Sequence, residues 1–125
     1  MGTDMYATVY NTRTKSKVET IIPDFFDGRD YRKYTIIAGV REQFTNYTKL
    51  CELRQLPEYV KLESGSAKAY YATVKEFKSF NWMQIVDDND YAVPFSFVQQ
   101  LFYWLDTLVG FYDSEDEIII IMDFD

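Results

Sequence analysis

Histidine is absent from the chain. Its absence removes His-based catalytic triads, His-ligated zinc and His proton shuttles in one step. One cysteine, Cys51, excludes an internal disulfide and suits a reducing compartment. It reads as a small buried hydrophobe. No apolar run approaches the roughly 18 residues of a membrane-spanning helix. The amino terminus lacks a basic stretch followed by an apolar one, so no secretory signal is expected. Tyr6 stands where a myristoylation signal after Gly2 would need Ser or Thr. A Gly-rich phosphate loop, a Cys metal cluster and a Gly-x-Ser-x-Gly elbow are all missing.

Bases are missing from the whole carboxyl-terminal stretch. Residues 1–78 hold all 13 Lys and Arg against 10 Asp and Glu, a net +3. Residues 79–125 hold 10 acids and no base, so the chain nets −7. The second part is expected to project a negative field, and the first can still host an anion. The competing reading is that the acids keep a Tyr- and Phe-rich protein in solution. Long nucleic acid is a disfavoured partner, because residues 79–125 would repel phosphates.

What is present suffices for one domain. Apolar residues make up 47% of 125, enough for a core without disulfide or metal. Met5–Tyr10 and Lys17–Ile22 read as a hairpin around a polar loop, with Pro23 ending the second strand. Phe25–Tyr31 reads as a loop in which Gly28 permits a positive φ and Asp27 bonds the turn. Asp30 is a candidate N-cap. Tyr34, Ile37, Val40, Arg41 and Phe44 recur at three and four, predicting a helix over 31–44.

Residues 45–72 carry little pattern beyond Pro57 and a Ser64-Gly65-Ser66 surface loop. Thr73 and Glu76 fit a capping box before a short helix over about 74–80. Pro94 suits a first helical turn. The repeat Val98, Leu101, Phe102, Leu105, Leu108, Val109 predicts the clearest helix, with Gly110 as its terminator. Phe95, Phe97 and Trp104 make that helix apolar on more than one side, placing it between the sheet and another surface. After the acidic turn Asp113–Glu117, Ile118–Met122 reads as a central strand covered on both faces. The expected fold is α+β: a small antiparallel sheet, from the amino-terminal hairpin and the last strand, packed by about three helices.

Several segments occur in a familiar order. Phe26-Asp27-Gly28-Arg29-Asp30-Tyr31 is followed by Ala38-Gly39-Val40-Arg41, then Leu53-Arg54-Gln55-Leu56-Pro57. Thr73-Val74-Lys75-Glu76-Phe77 precedes Phe80-Asn81-Trp82, and Ile118 to Asp125 closes the chain. This order resembles a family of small bacteriophage proteins with a Gly-Arg-Asn/Asp-Tyr turn, an Ala-x-Val-Arg helix, an Arg-Gly-Leu-Pro loop and a Phe-Asp tail. Gln55 departs from it where the family has Gly. The resemblance implies a phage setting and the host bacterial cytoplasm. It carries no activity over.

Arg29, Tyr31, Arg32 and Arg41 form the candidate ligand site. Guanidinium forks bind phosphate oxygens, aromatic faces stack on rings, and the helix start near Tyr31 adds donors. The competing reading is structural, with Arg29 tying its loop to a nearby carboxylate and Arg41 pairing with Asp27 or Asp30. On a helix over 31–44, Arg41 would lie about 15 Å from the helix start. One small phosphate would then not span both within a protomer. Asp87, Asp88 and Asp90 suggest a hard-cation loop, but the EF-hand alternation breaks at Tyr91, so a solvated turn is the better reading.

Eleven tyrosines suit either a contact surface or an aromatic core. Three functions follow from the phage setting. The first sequesters a small, anionic, nucleotide-derived immune signal without cleaving it. The second is an acidic inhibitor that blocks a host defence protein by direct binding or DNA mimicry. The third, an enzyme on such a signal, ranks last, since no catalytic motif, cofactor or metal is implied. The complementary charges of the two parts lead us to expect a homo-oligomer, a dimer by preference.

Overall fold

A computed structural model of the chain describes residues 2–27, 29–85, 92–112 and 114–125. The expected Gly28 turn and the Asp87, Asp88, Asp90 loop with Tyr91 lie outside the described residues, as does Asp113.

Five strands form one antiparallel sheet: β1 (Met5–Asn11), β2 (Ser16–Val18), β3 (Leu53–Gln55), β4 (Lys68–Thr73) and β5 (Ile118–Phe124), in the order β2-β1-β5-β4-β3. The expected α+β architecture holds, with helices α1 (Tyr31–Ala38), α2 (Val74–Ser79) and α3 (Phe95–Tyr112). The run Ile118–Met122 is central, as its unbroken apolarity required. Ile118, Ile120 and Met122 face the main core with the helices. Ile119 and Ile121 face the other way, where Leu56 and Val60 cover them beside Tyr10.

The second hairpin strand ends at Val18, short of the expected Ile22. Beyond it the chain turns toward α3: the Trp104 indole Nε1–H donates to Thr20 Oγ1 at 3.0 Å. Ile21 is left exposed. Strands β3 and β4 were not foreseen. The first is only three residues long, and Lys68–Thr73 (KAYYAT) lacks a polar–apolar alternation because alanines occupy two of its buried places.

The first helix also ends early, at Ala38 rather than 44. Gly39 adopts φ +72°, a left-handed cap, and its N–H donates to Thr35 O. Arg41 follows at φ +55°. The chain then returns, and the Leu50 and Cys51 amides donate to Ile36 O and Ile37 O. Those bonds satisfy carbonyls that a helix end leaves open. Asp30 caps the start as expected, accepting from the Arg32 and Lys33 amides.

At α2 both halves of the capping box form, Glu76 N–H to Thr73 Oγ1 and Thr73 N–H to Glu76 Oε1, each at 3.0 Å. Pro94 immediately precedes α3, and its carbonyl accepts from the Phe97 and Val98 amides. Gly110 does not terminate α3, which runs on to Tyr112. Gly110 sits in the last turn of α3, where a Gly costs at most about 1 kcal/mol against Ala, little beside the burial of Val98, Leu101, Trp104, Leu105 and Leu108. A 3₁₀ turn at Asp24–Phe26 drives Phe25 and Phe26 between α2 and α3. There they meet Trp82 and Trp104 edge-on at 5.3 and 5.4 Å.

Candidate functional site

The arginine group assembles around the first residues of the chain. Strand β2 covers only Val9–Asn11 of β1, so the earlier part of that edge needs other partners. Tyrosines of α1 supply them. Thr3 N–H donates to Tyr31 Oη at 3.0 Å, and the Met5 backbone hydrogen-bonds the hydroxyl of buried Tyr34. Arg29 grips Asp4 with Nε and Nη2, at 2.7 and 3.1 Å. That pairing holds the Asp4 carboxyl below its ordinary range. Asp4 in turn exchanges two backbone bonds with Asp125, prolonging the β1–β5 ladder.

Arg41 arrives at the same place. It does not lie 15 Å away, because the chain leaves the helix at Gly39. Its Nε–H donates to Thr3 Oγ1 at 2.8 Å and its guanidinium lies 5.4 Å from the Tyr31 ring centre. Buried Thr35 guides this return: its Oγ1 accepts from Gln43 N–H at 2.9 Å and donates to Tyr31 O at 2.8 Å.

Arg29, Tyr31 and Arg41 are thus brought together, whereas Arg32 sits 3.6 Å from the cap carboxylate of Asp30. The expected tie of Arg29 to a carboxylate is present, with Asp4. The expected pairing of Arg41 with Asp27 or Asp30 is replaced by Thr3 and Tyr31. Features needed for a phosphate are already in use: Arg41 lies over the Tyr31 ring, and Asp30 takes the amides at the helix start. The geometry is that of a clasp holding residues 3–5 to α1.

The acids of the last stretch are partly answered from within the chain. Lys78 is shared by Asp106 and Glu115, Lys75 meets Asp116, and Arg13 meets Glu117. The charge complementarity expected between two copies is in this measure spent inside one. Among the described residues no group of three or more acids or Cys is placed to hold a metal ion. No described helix is long and apolar enough to cross a membrane. Cys51 is buried, and that burial pushes its thiol up to about 12.

Two features were missed by sequence reasoning. Lys33 is 3% exposed, its ammonium 5.2 and 5.1 Å from the Phe25 and Phe97 ring centres. Burial draws its pKa down. The second is an apolar groove of about 350 Å³ between α3 and the turn after α2. Phe80, Trp82, Met83, Phe95, Val98 and Phe102 line it, with Asn81 and Gln99 as its polar members. Phe95 is 61% exposed and Met83 53%. The available signal was the apolar character of α3 on more than one side.

Larger concavities, near 590 and 600 Å³, lie along the loops at 55–67 and the end of β5. The first sets Glu58 and Lys61 among apolar and small residues such as Leu56, Val60 and Gly65. The second gathers Glu63, Asp123 and Asp125, beside exposed Tyr6. Its carboxylates are not placed as a metal-holding group among the described residues.

No family model, curated protein or solved structure matches this chain.

Proposed function

We propose that this chain is a non-catalytic binding protein that occupies a surface of a protein partner. The observation that carries the reading is the exposed aromatic and Met-lined groove beside α3, on a chain whose candidate ligand arginines serve as an internal clasp. In the phage setting the partner would be a host defence protein in the bacterial cytoplasm, blocked by direct binding.

The second reading remains sequestration of a small nucleotide-like anion. It is favoured by the gathering of Arg29, Tyr31 and Arg41 around Thr3 and Asp4. One experiment separates the two. The protein is purified from cells carrying the intended host proteins, alongside Arg29→Ala and a Phe95→Ser/Met83→Ser double variant. Retained material is then resolved by mass spectrometry after denaturation. The first reading expects a protein retained by the wild type and by Arg29→Ala, and lost from the groove variant. A released nucleotide, absent from Arg29→Ala, would transfer the function to the clasp.

A further inference from the structure

We infer that the groove beside α3 takes an amphipathic helix of the partner protein, with apolar anchors on one face and Lys or Arg on its flanks. This rests on the protein-binding reading above and names the element that fills the surface.

The shape argument comes from α3. Phe95, Val98, Gln99 and Phe102 are spaced by three and four, so they line one side of two helical turns, a run of about 10 Å. The opposite wall is the Phe80–Met83 turn, anchored to α2 where Trp82 Nε1–H donates to Phe77 O at 2.7 Å. Both walls are side chains, and neither is a strand, so an incoming strand would find no ladder to extend. A helix has its backbone bonds satisfied and needs only an apolar trough. Anchors at i, i+3 or i+4, and i+7 match the spacing of the wall.

The charge argument comes from what borders the trough. Among the described residues the groove lining carries no charge. Every charged residue from 79 onward is acidic. On α3, Asp106 stands one turn beyond Phe102 and shares the single Lys78 with Glu115, leaving that cluster one negative charge in excess. Basic flanks on the incoming helix would be attracted, and acidic flanks repelled.

The test uses the intact protein and a synthetic helical peptide of about 18 residues, with leucines at i, i+3, i+4 and i+7 and lysines on the other faces. A second peptide keeps the leucines and replaces lysine by glutamate; a third scrambles the lysine sequence. Binding is read by anisotropy of labelled peptide. We expect saturable binding of the lysine peptide, weakened about tenfold or more by Phe95→Ser or Met83→Ser. Both residues are over half exposed, so folding should survive, and circular dichroism checks this. The glutamate and scrambled peptides should bind at least as poorly as the variants do.

Equal binding of the scrambled peptide, or no effect of Phe95→Ser, would overturn the inference. Sedimentation showing a dimer that Phe95→Ser dissociates would overturn it in favour of a second copy. If none of the peptides binds while Phe95→Ser/Met83→Ser still loses the captured protein, the helical occupant is wrong and the protein-binding reading stands.

Discussion

Replacing Thr35 by Val keeps the side-chain shape and removes the hydroxyl that brings the chain back after α1. Thr35 is fully buried, so its hydroxyl makes its bonds within the chain. The bonds lost are Gln43 N–H to Oγ1 at 2.9 Å, Oγ1–H to Tyr31 O at 2.8 Å, and a longer alternative from Oγ1–H to Arg41 O at 3.4 Å. An ordinary hydrogen bond contributes about 1 kcal/mol net, and a buried donor left without an acceptor costs about 1–3 kcal/mol. Tyr31 O lies in the first turn of α1, where a helical carbonyl has a main-chain donor. The Gln43 amide has no such second partner among the described bonds. Gln43 itself is exposed, so its amide is only partly shielded from water and the expected loss is roughly 1 kcal/mol. For a chain of this length that lowers Tm by roughly 3–5 °C. Urea denaturation and native-state hydrogen exchange measure it, the Gln43 amide losing protection first. A loss below about 0.5 kcal/mol, within the scatter of surface substitutions, would refute the argument. It would mean that the 41–43 return is held by something other than Thr35.

Thr73→Ala should remove the α2 capping box and cost about 1 kcal/mol, read by chemical denaturation. Thr73→Ser should restore most of it. Cys51 predicts an alkaline limit. Its folded pKa is raised to about 12 from 9.0, so its contribution is whole below pH 9.0 and falls as pH rises toward about 12. Measured against Cys51→Ala, wild-type stability should drop by roughly 1.4 kcal/mol between pH 8 and pH 10, one proton's worth per unit. Parallel stability–pH curves would contradict this. The same burial predicts that a disulfide exchange reagent labels Cys51 at pH 8 only after denaturant is added.

The parts of this fold legible in the sequence were those where local chemistry and tertiary placement agree. Asp30, Thr73 with Glu76, and the run Ile118–Met122 each specify their role within a few residues. The end of α1 failed because Tyr34, Ile37, Val40 and Phe44 keep a helical period across Gly39. Phe44 is indeed buried, but it reaches the core from the returning segment instead of from a helix. Gly110 failed in the opposite sense, because the packing of α3 outweighed a residue's preference. Strand β4 was hidden by its alanines, and β3 by its length. In the candidate site, Arg29, Tyr31 and Arg41 were correctly grouped, yet their partners Thr3 and Asp4 lie far away in sequence, and only the fold shows that the group is a clasp. The groove beside α3 was legible only as surplus apolarity at Phe95.

Hydrogen–deuterium exchange on the protein bound to its captured partner tests the central claim most directly, because it reports which surface is covered. We predict slowed exchange over 80–83 and 95–106, with 29–41 unchanged from the free protein. Slowing confined to 29–41, with α3 exchanging as in the free protein, would contradict the account and return the function to the arginine clasp.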